Sequence, residues 1–267
     1  MGMLFISWAP DPEIFRIGGL AVRWYGVLFA LGFVFGYIIL LRMFRKEGIP
    51  QKLLDSLTTF MIIGTLIGAR LGHCLFYEPD YFLSHPGKIL AVWEGGLASH
   101  GAAIGIILAL IIFSVAYKRP FLWVIDRIVI VVALAGCLIR IGNLMNSEIF
   151  GHVTQLPWGF IFRKASNPLE ATDPRHPTQI YEALSYLLIF FYLIWHYNRK
   201  DGKPAPGFLF GMFLILIFGI RFLIEFLKEP QVGFEAGMDL NMGQLLSIPF
   251  IIAGIVFAVR AGKTATG

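Results

Sequence analysis

Between Arg140 and Gly151 the chain reads Arg-Ile-Gly-Asn-Leu-Met-Asn-Ser-Glu-Ile-Phe-Gly. A guanidinium (Arg140), two primary amides (Asn143, Asn146) and a carboxylate (Glu148) follow directly on the apolar run from Phe121 to Ile139. Polar groups at the end of such a run lie where hydrocarbon gives way to headgroups, and there they need partners or a task. A guanidinium is a fixed positive charge with a planar fork of donors, suited to phosphate or carboxylate. Arg221 and Glu225 stand four residues apart in a second apolar run, and Arg221 is deeper than snorkelling requires. Arg70 lies in a third. His100 follows Gly95-Gly96, and Arg23 and Tyr25 flank Trp24. A histidine is the usual side-chain base near neutral pH. Each of these has a plainer reading. Arg23 and Arg70 suit headgroup anchors, Arg221 with Glu225 suits a structural ion pair, His100 suits an interfacial histidine, and Tyr25 suits an aromatic belt. Taken jointly, several arginines at one depth call for an anion.

The elements that must hold these residues are membrane spans. The chain is 57% hydrophobic and 15% charged, with mean hydropathy +0.72, whereas a soluble domain carries about 25% charged residues. Apolar runs of roughly 18 residues or more recur along its length. This predicts an all-α polytopic membrane protein with seven transmembrane helices, near 19–41, 53–77, 97–117, 121–141, 179–197, 207–227 and 241–259. The chain forms a single integral membrane domain over residues 1–267, with a long connector near 142–178. No repeat and no cleavable signal segment is evident. Basic residues gather after spans one, three and five (Arg42, Arg45, Lys46 and Lys52; Lys118 and Arg119; Arg199, Lys200 and Lys203) and in the tail (Arg260, Lys263). The connectors on the other side carry Lys88 with Glu78, Asp80 and Glu94, and later Lys228 with Glu229, Glu235 and Asp239. The basic side is cytoplasmic, which places the N-terminus and the 142–178 connector outside and the C-terminus inside. The net charge of +5 serves orientation and anionic membrane lipids, not nucleic acid. Cys74 and Cys137 lie inside apolar runs as small core residues. No metal and no cofactor is expected, since no HExxH, cysteine cluster or ligand-spaced carboxylate pair occurs.

Helix rise places the polar groups in depth. Counted from the inner ends of their spans, Arg70, Arg140, Arg221 and Glu225 lie roughly 26, 28, 21 and 27 Å across. Arg23, Tyr25 and His100 begin their spans from outside. In a hydrocarbon core of about 30 Å all of these occupy the outer half. Asp55 and Asp126-Arg127 sit near inner ends and read as interfacial. An ion path would string polar groups through the whole depth; this pattern suits a site meeting lipid or an external substrate.

These segments resemble bacterial prolipoprotein diacylglyceryl transferases. The resemblance rests on R-I-G-N-L-M-N-S-E-I-F-G at 140–151, H-G at 100–101, W-Y-G at 24–26 and G-A-R-L-G at 68–72. It is extended by R-H-P-T-Q-I-Y-E at 175–182, R-F-L-I-E-F at 221–226 and M-G-Q-L-L-S at 242–247, nearly end to end. One departure is Ala102, where the family usually has a second glycine after the histidine.

The resemblance implies transfer of the diacylglyceryl group of phosphatidylglycerol to the lipobox cysteine of a prolipoprotein signal peptide, in the bacterial cytoplasmic (inner) membrane. A thioether forms and glycerol phosphate leaves. It implies essential roles for Arg140 and Arg221 and binding roles for Tyr25, Asn143 and Gly151. From residue chemistry, His100 is the candidate thiol base, because a thiol of ordinary pKa is only a few per cent thiolate at neutral pH. His73, His152 and His176 compete for that task. Arg140 and Arg221 would stabilise charge on the leaving phosphate. Glu148 and Glu225 would orient the arginines or bind headgroup hydroxyls, and Arg70 and Asn146 join the binding set. The rival class is a secondary transporter or channel for an anionic solute, which the lack of a repeat and the outer clustering oppose. A retinal-type sensor would need a lysine in the last span, and residues 241–259 have none. A lipid-binding scaffold without catalysis is the remaining alternative.

Overall fold

The structure is a computed structural model and describes residues 5–91, 95–228 and 240–265. Glu94, Glu229, Glu235 and Asp239, used above for orientation, lie outside the described residues. In chain order the elements are β1 (Ile6–Trp8), β2 (Glu13–Ile17), β3 (Leu20–Arg23), α1 (Trp24–Lys46), α2 (Gln51–Phe76), α3 (Pro79–Ser84), α4 (Ser99–Ala116), α5 (Phe121–Met145), β4 (Phe160–Phe162), α6 (Thr178–Arg199), α7 (Phe208–Glu225) and α8 (Met242–Ala265). Among the described residues seven helices are long and apolar enough to cross a membrane: α1, α2, α4, α5, α6, α7 and α8. The all-α polytopic architecture therefore stands. Large apolar side chains on these helices point outward, for example Ile67 at 55%, Val115 at 75% and Leu188 at 69% exposure. Lipid is the solvent that suits them.

The chain divides into two compact units, residues 1–39 with 126–267 and residues 40–125. In the first unit the leading span begins later than the apolar pattern suggests. Residues 13–23 form an antiparallel hairpin, β2 against β3, turning at Gly18, whose φ is +58°. The expected start at residue 19 is thus corrected to Trp24, because Leu20 to Arg23 pair their backbone with Glu13 to Ile17 in a hairpin rather than a helix. Strand β1 pairs in parallel with β4, Ile6 opposite Phe160 and Trp8 opposite Phe162. The long connector is therefore not a bare loop: β4 and a 3₁₀ turn over Pro168–Ala171 organise it. Leu144, Phe150, Phe160 and Phe162 form a buried cluster, with Trp8 packed against it. Trp8 Nε1 donates to the Leu144 carbonyl at 2.9 Å, which satisfies one orphan acceptor at the end of α5.

Helix α5 continues to Met145, so Arg140 and Asn143 both lie on helix rather than at its exit. It stops where Ser147 adopts a left-handed φ of +53° and its N–H meets the Leu144 carbonyl at 3.1 Å. Ile149 is left-handed too, at +60°, which a β-branched residue holds only under constraint. At the other end of α5, Asp126 and Arg127 are buried within the protein. Asp126 accepts from the N–H groups of Gly207 (2.6 Å) and Phe210 (2.8 Å) and so caps α7. Arg127 donates to the Gly202 carbonyl at 3.1 Å.

In the second unit α2 and α4 cross through small residues. A Cβ on Gly72 would lie 2.6 Å from Gly101 Cα, and one on Gly105 would lie 2.8 Å from Gly68 Cα. Spacing by four puts Gly64, Gly68 and Gly72 on one face, the small-xxx-small arrangement that lets backbones meet in lipid.

Candidate functional site

The first turn of α6, the start of α1 and the 227–228 backbone meet the 140–151 segment. Arg140 Nη1 donates to Asn143 Oδ1 at 3.3 Å. Asn143 Nδ2 donates to Glu148 Oε1 at 2.8 Å, and Asn146 Nδ2 donates to the same oxygen at 3.1 Å. Glu148 thus folds the end of the segment back onto α5. The first turn of α6 holds it there: Gln179 Nε2 donates to the Glu148 carbonyl at 2.6 Å and Thr178 Oγ1 to the Ile149 carbonyl at 2.9 Å. Both side chains are fully buried. Gly151 closes the segment by backbone approach. Its N–H donates to the His176 carbonyl at 2.9 Å, its backbone pairs with Lys228, and a Cβ would collide with the Leu227 carbonyl oxygen.

A buried charge chain runs beside this frame. Glu182, on α6, has no exposed surface. Its Oε2 lies 2.9 Å from Arg140 Nε and its Oε1 accepts from Lys228 Nζ at 3.0 Å. The first contact pairs charge without hydrogen-bond alignment. Lys228 also donates to Glu225 Oε2 at 3.3 Å. The Glu225 carboxylate packs against Gly243 at the start of α8, where a Cβ would lie 2.5 Å from its carboxyl carbon. Tyr186, one turn beyond Glu182, is buried and interacts with both Arg140 and Arg221. Arg221 is half-buried and makes no hydrogen bond or ion pair with the described residues. The i,i+4 ion pair with Glu225 is absent among the described residues, because Glu225 turns to Lys228 instead. Tyr25 lies over Gly142, where a Cβ would meet its Cδ2 at 2.9 Å, and it interacts with Glu148 and Arg140.

Arg140, Arg221, Tyr25, Asn143, Asn146, Glu148, Gly151 and Glu225 accordingly belong to one unit. His100 and Arg70 belong to the other. His100 is exposed in the first turn of α4, and Gly101 behind it serves the α2–α4 crossing. Arg70 is buried and spent on backbone: Nε donates to the Ile89 carbonyl at 2.9 Å and Nη2 to the Lys88 carbonyl at 2.6 Å, with Nη1 on Gly95. It clamps the connector leading to α4. His73 stacks on Tyr77 and lies 3.8 Å from Glu78.

Glu182, Lys228, Gln179 and Tyr186 are absent from the sequence-derived site candidates, although Gln179 and Glu182 fall within the 175–182 motif. A signal for Glu182 was present, since an acid inside a span asks for a partner. Lys228 was counted as a connector charge, and nothing in its neighbours marks it as turned inward. In the connector, His176 Nδ1 lies 3.3 Å from the Tyr181 hydroxyl, which also accepts from Trp158 Nε1 at 3.0 Å. Burial, and then nearby His152, hold the His176 imidazole below its usual pKa of 6.5. Among the described residues no group of His, Cys, Asp and Glu has the makings of a metal site.

The family model described as "Prolipoprotein diacylglyceryl transferase" matches residues 12–260. A protein of Tolumonas auensis named phosphatidylglycerol–prolipoprotein diacylglyceryl transferase is 49% identical over 98% of this chain and 98% of its own length. Proteins of the same name from Bacteroides fragilis and Porphyromonas gingivalis are 43% and 46% identical, covering 98% and 97% of this chain and 97% and 95% of theirs. The chain belongs to the prolipoprotein diacylglyceryl transferase family.

Proposed function

We propose that this protein moves the diacylglyceryl group of phosphatidylglycerol onto the lipobox cysteine of a prolipoprotein. The relatives' shared name supports the substrates. The observation that carries the chemistry is the state of the two arginines. Arg221 has no hydrogen-bond or ion-pair partner among the described residues. Arg140, with five N–H donors, has Glu182, Asn143 and Tyr186 as described partners and keeps donor capacity over. Tyr186, touching the fields of both, marks them as neighbours of one space. A phosphodiester there would accept from both guanidiniums.

In the reaction the cysteine thiol loses its proton and the sulfur attacks the glyceryl carbon. The C–S bond forms as the C–O bond breaks, and the electron pair stays with the departing glycerol phosphate. The phosphate gains a second negative charge at that moment, and preorganised guanidinium donors in a site of low dielectric favour that state. Glu148, Asn143 and Asn146 hold Arg140 by its Asn143 contact, Gly151 fixes the frame, and Tyr25 covers the segment beside Gly142. His100 is the thiol base in this reading, on the strength of its family motif. Arg70 contributes by holding the connector that leads to it. The N-terminus faces outward and the C-terminus the cytoplasm of the bacterial inner membrane, following the basic connectors.

The test is a transfer assay with labelled phosphatidylglycerol and a lipobox peptide, using protein in detergent micelles or vesicles. Wild type should form the thioether. Arg140→Lys and Arg221→Lys should each lose about 10²–10³-fold, the scale of one lost oxyanion donor, because an ammonium cannot reproduce the fork. His100→Gln should lose the thiol-activation step. Wild-type rates in both lysine variants would overturn the phosphate role; full rate in His100→Gln would remove it as the base.

A further inference from the structure

The buried charge chain contains two residues that touch no substrate in the reading above, yet they bear on both arginines. Glu182 is fully buried in a membrane span and Lys228 is 2% exposed at its side chain. A carboxylate or ammonium at such a place is costly unless paired, and a connector lysine ordinarily turns its head to water. Lys228 turns inward and divides its ammonium between Glu182 (3.0 Å) and Glu225 (3.3 Å). Glu182 divides its carboxylate between Lys228 and Arg140 Nε. Neither arrangement is needed to satisfy Arg140 alone, for which one carboxylate would suffice.

We infer that Glu182 and Lys228 are positioning residues that set the aim and the charge of the anion site, an inference that rests on the phosphate role of Arg140 and Arg221. Aim comes from Glu182. By pairing with the Nε side of Arg140 it fixes that corner, and the donors not engaged by Glu182, Asn143 and Tyr186 are left for a ligand. Charge comes from Lys228. Among the described side chains of the charge chain and its frame, Arg140, Arg221 and Lys228 stand with the carboxylates of Glu148, Glu182 and Glu225. Without Lys228 the carboxylates are in excess, and an anionic headgroup meets repulsion before it meets Arg221. Lys228 is also placed by the segment it serves, because its backbone pairs with Gly151 and the neighbouring Leu227 carbonyl accepts from His152 N–H at 2.8 Å.

The experiment compares Lys228→Met with the double variant Lys228→Met/Glu182→Gln. KM for phosphatidylglycerol, inhibition by glycerol phosphate, and the thermal midpoint are measured on the full-length protein in micelles. Removing one charge from a partly buried cluster should raise KM about tenfold or more and weaken glycerol phosphate inhibition in parallel. The double variant restores the charge balance but not the bridges. It should regain most of the anion affinity while its thermal midpoint stays low. A merely structural lysine would leave affinity tracking the midpoint, with no recovery, and that result overturns the inference. So does an unchanged KM in Lys228→Met. If Lys228→Met does not fold, Glu182→Gln keeps the question open to test: it should lower kcat more than it raises KM, since Arg140 loses its aim while the site loses a repelling charge. The reverse split in Glu182→Gln counts against the inference. Wild-type kinetics in Arg140→Lys and Arg221→Lys would instead sink the underlying reading, whatever Lys228 does.

Discussion

Gly151→Ala is the sharpest probe of the frame, because a single methyl group tests a backbone contact. A Cβ at this position would strike the Leu227 carbonyl oxygen and stand 2.9 Å from both His176 Cβ and Thr178 Cγ2. Two of these neighbours are backbone or Cβ atoms, so no flexible side-chain end can swing away. Relief requires separating residue 151 from the 227–228 backbone. That endangers the Gly151-to-His176 hydrogen bond (2.9 Å) and the His152-to-Leu227 hydrogen bond (2.8 Å). Overpacking costs about 1–3 kcal/mol, and each hydrogen bond contributes about 1 kcal/mol. The sum is about 3–5 kcal/mol, which the scaling for soluble proteins converts to a midpoint loss of about 6–20 °C. Moving the 227–228 backbone also draws the Lys228 ammonium from Glu182, so transfer activity should fall together with stability. Thermal unfolding followed by intrinsic fluorescence, alongside the transfer assay, measures both. Gly26→Ala is the matched control. It lies in the W-Y-G motif, has nothing within 4 Å of its Cβ position, and sits in helix α1, so its midpoint should hold or rise slightly. A Gly151→Ala protein with wild-type midpoint and rate would refute the claim that this backbone approach constrains the site.

Two further predictions address other parts of the molecule. Gly68→Ala should force α2 and α4 apart, since its Cβ would collide with the Gly101 carbonyl oxygen and stand 2.8 Å from Gly105 Cα; a stability loss of about 1–3 kcal/mol is expected in thermal unfolding. His176 sits below its usual pKa of 6.5 in the folded protein through burial and His152. The unfolded chain therefore binds that proton more readily, so the connector keeps its full stability above about pH 6.5 and loses it as acid protonates the ring. Limited proteolysis of the 142–178 connector should be faster at pH 5.5 than at pH 7.5, and His176→Gln should narrow the difference.

Much of the architecture was legible because lipid imposes a simple rule: a spanning segment satisfies its own backbone and shows apolar side chains. Runs such as Phe208 to Ile220 obey it without help from the rest of the chain. The rule is silent on short pieces. Residues 19–23 are counted with the first span, yet residues 13–23 pair as a hairpin whose register depends on a two-residue turn. The parallel pairing of Ile6–Trp8 with Phe160–Phe162 joins segments far apart in sequence, which no local pattern announces.

By itself the sequence determined which helices are long and apolar enough to cross the membrane, that Arg140 and Arg221 fall within such helices, and which family the motifs resemble. Those properties reside in composition, spacing and residue type. Tertiary structure alone decided who pairs with whom. It gave Glu225 to Lys228 rather than to Arg221, spent Arg70 on backbone carbonyls, and set Glu182 between Arg140 and Lys228. The physical reason is that a buried charge takes the partner that packing brings within about 3 Å, and that partner arrives from another helix at a distance in sequence that periodicity does not encode.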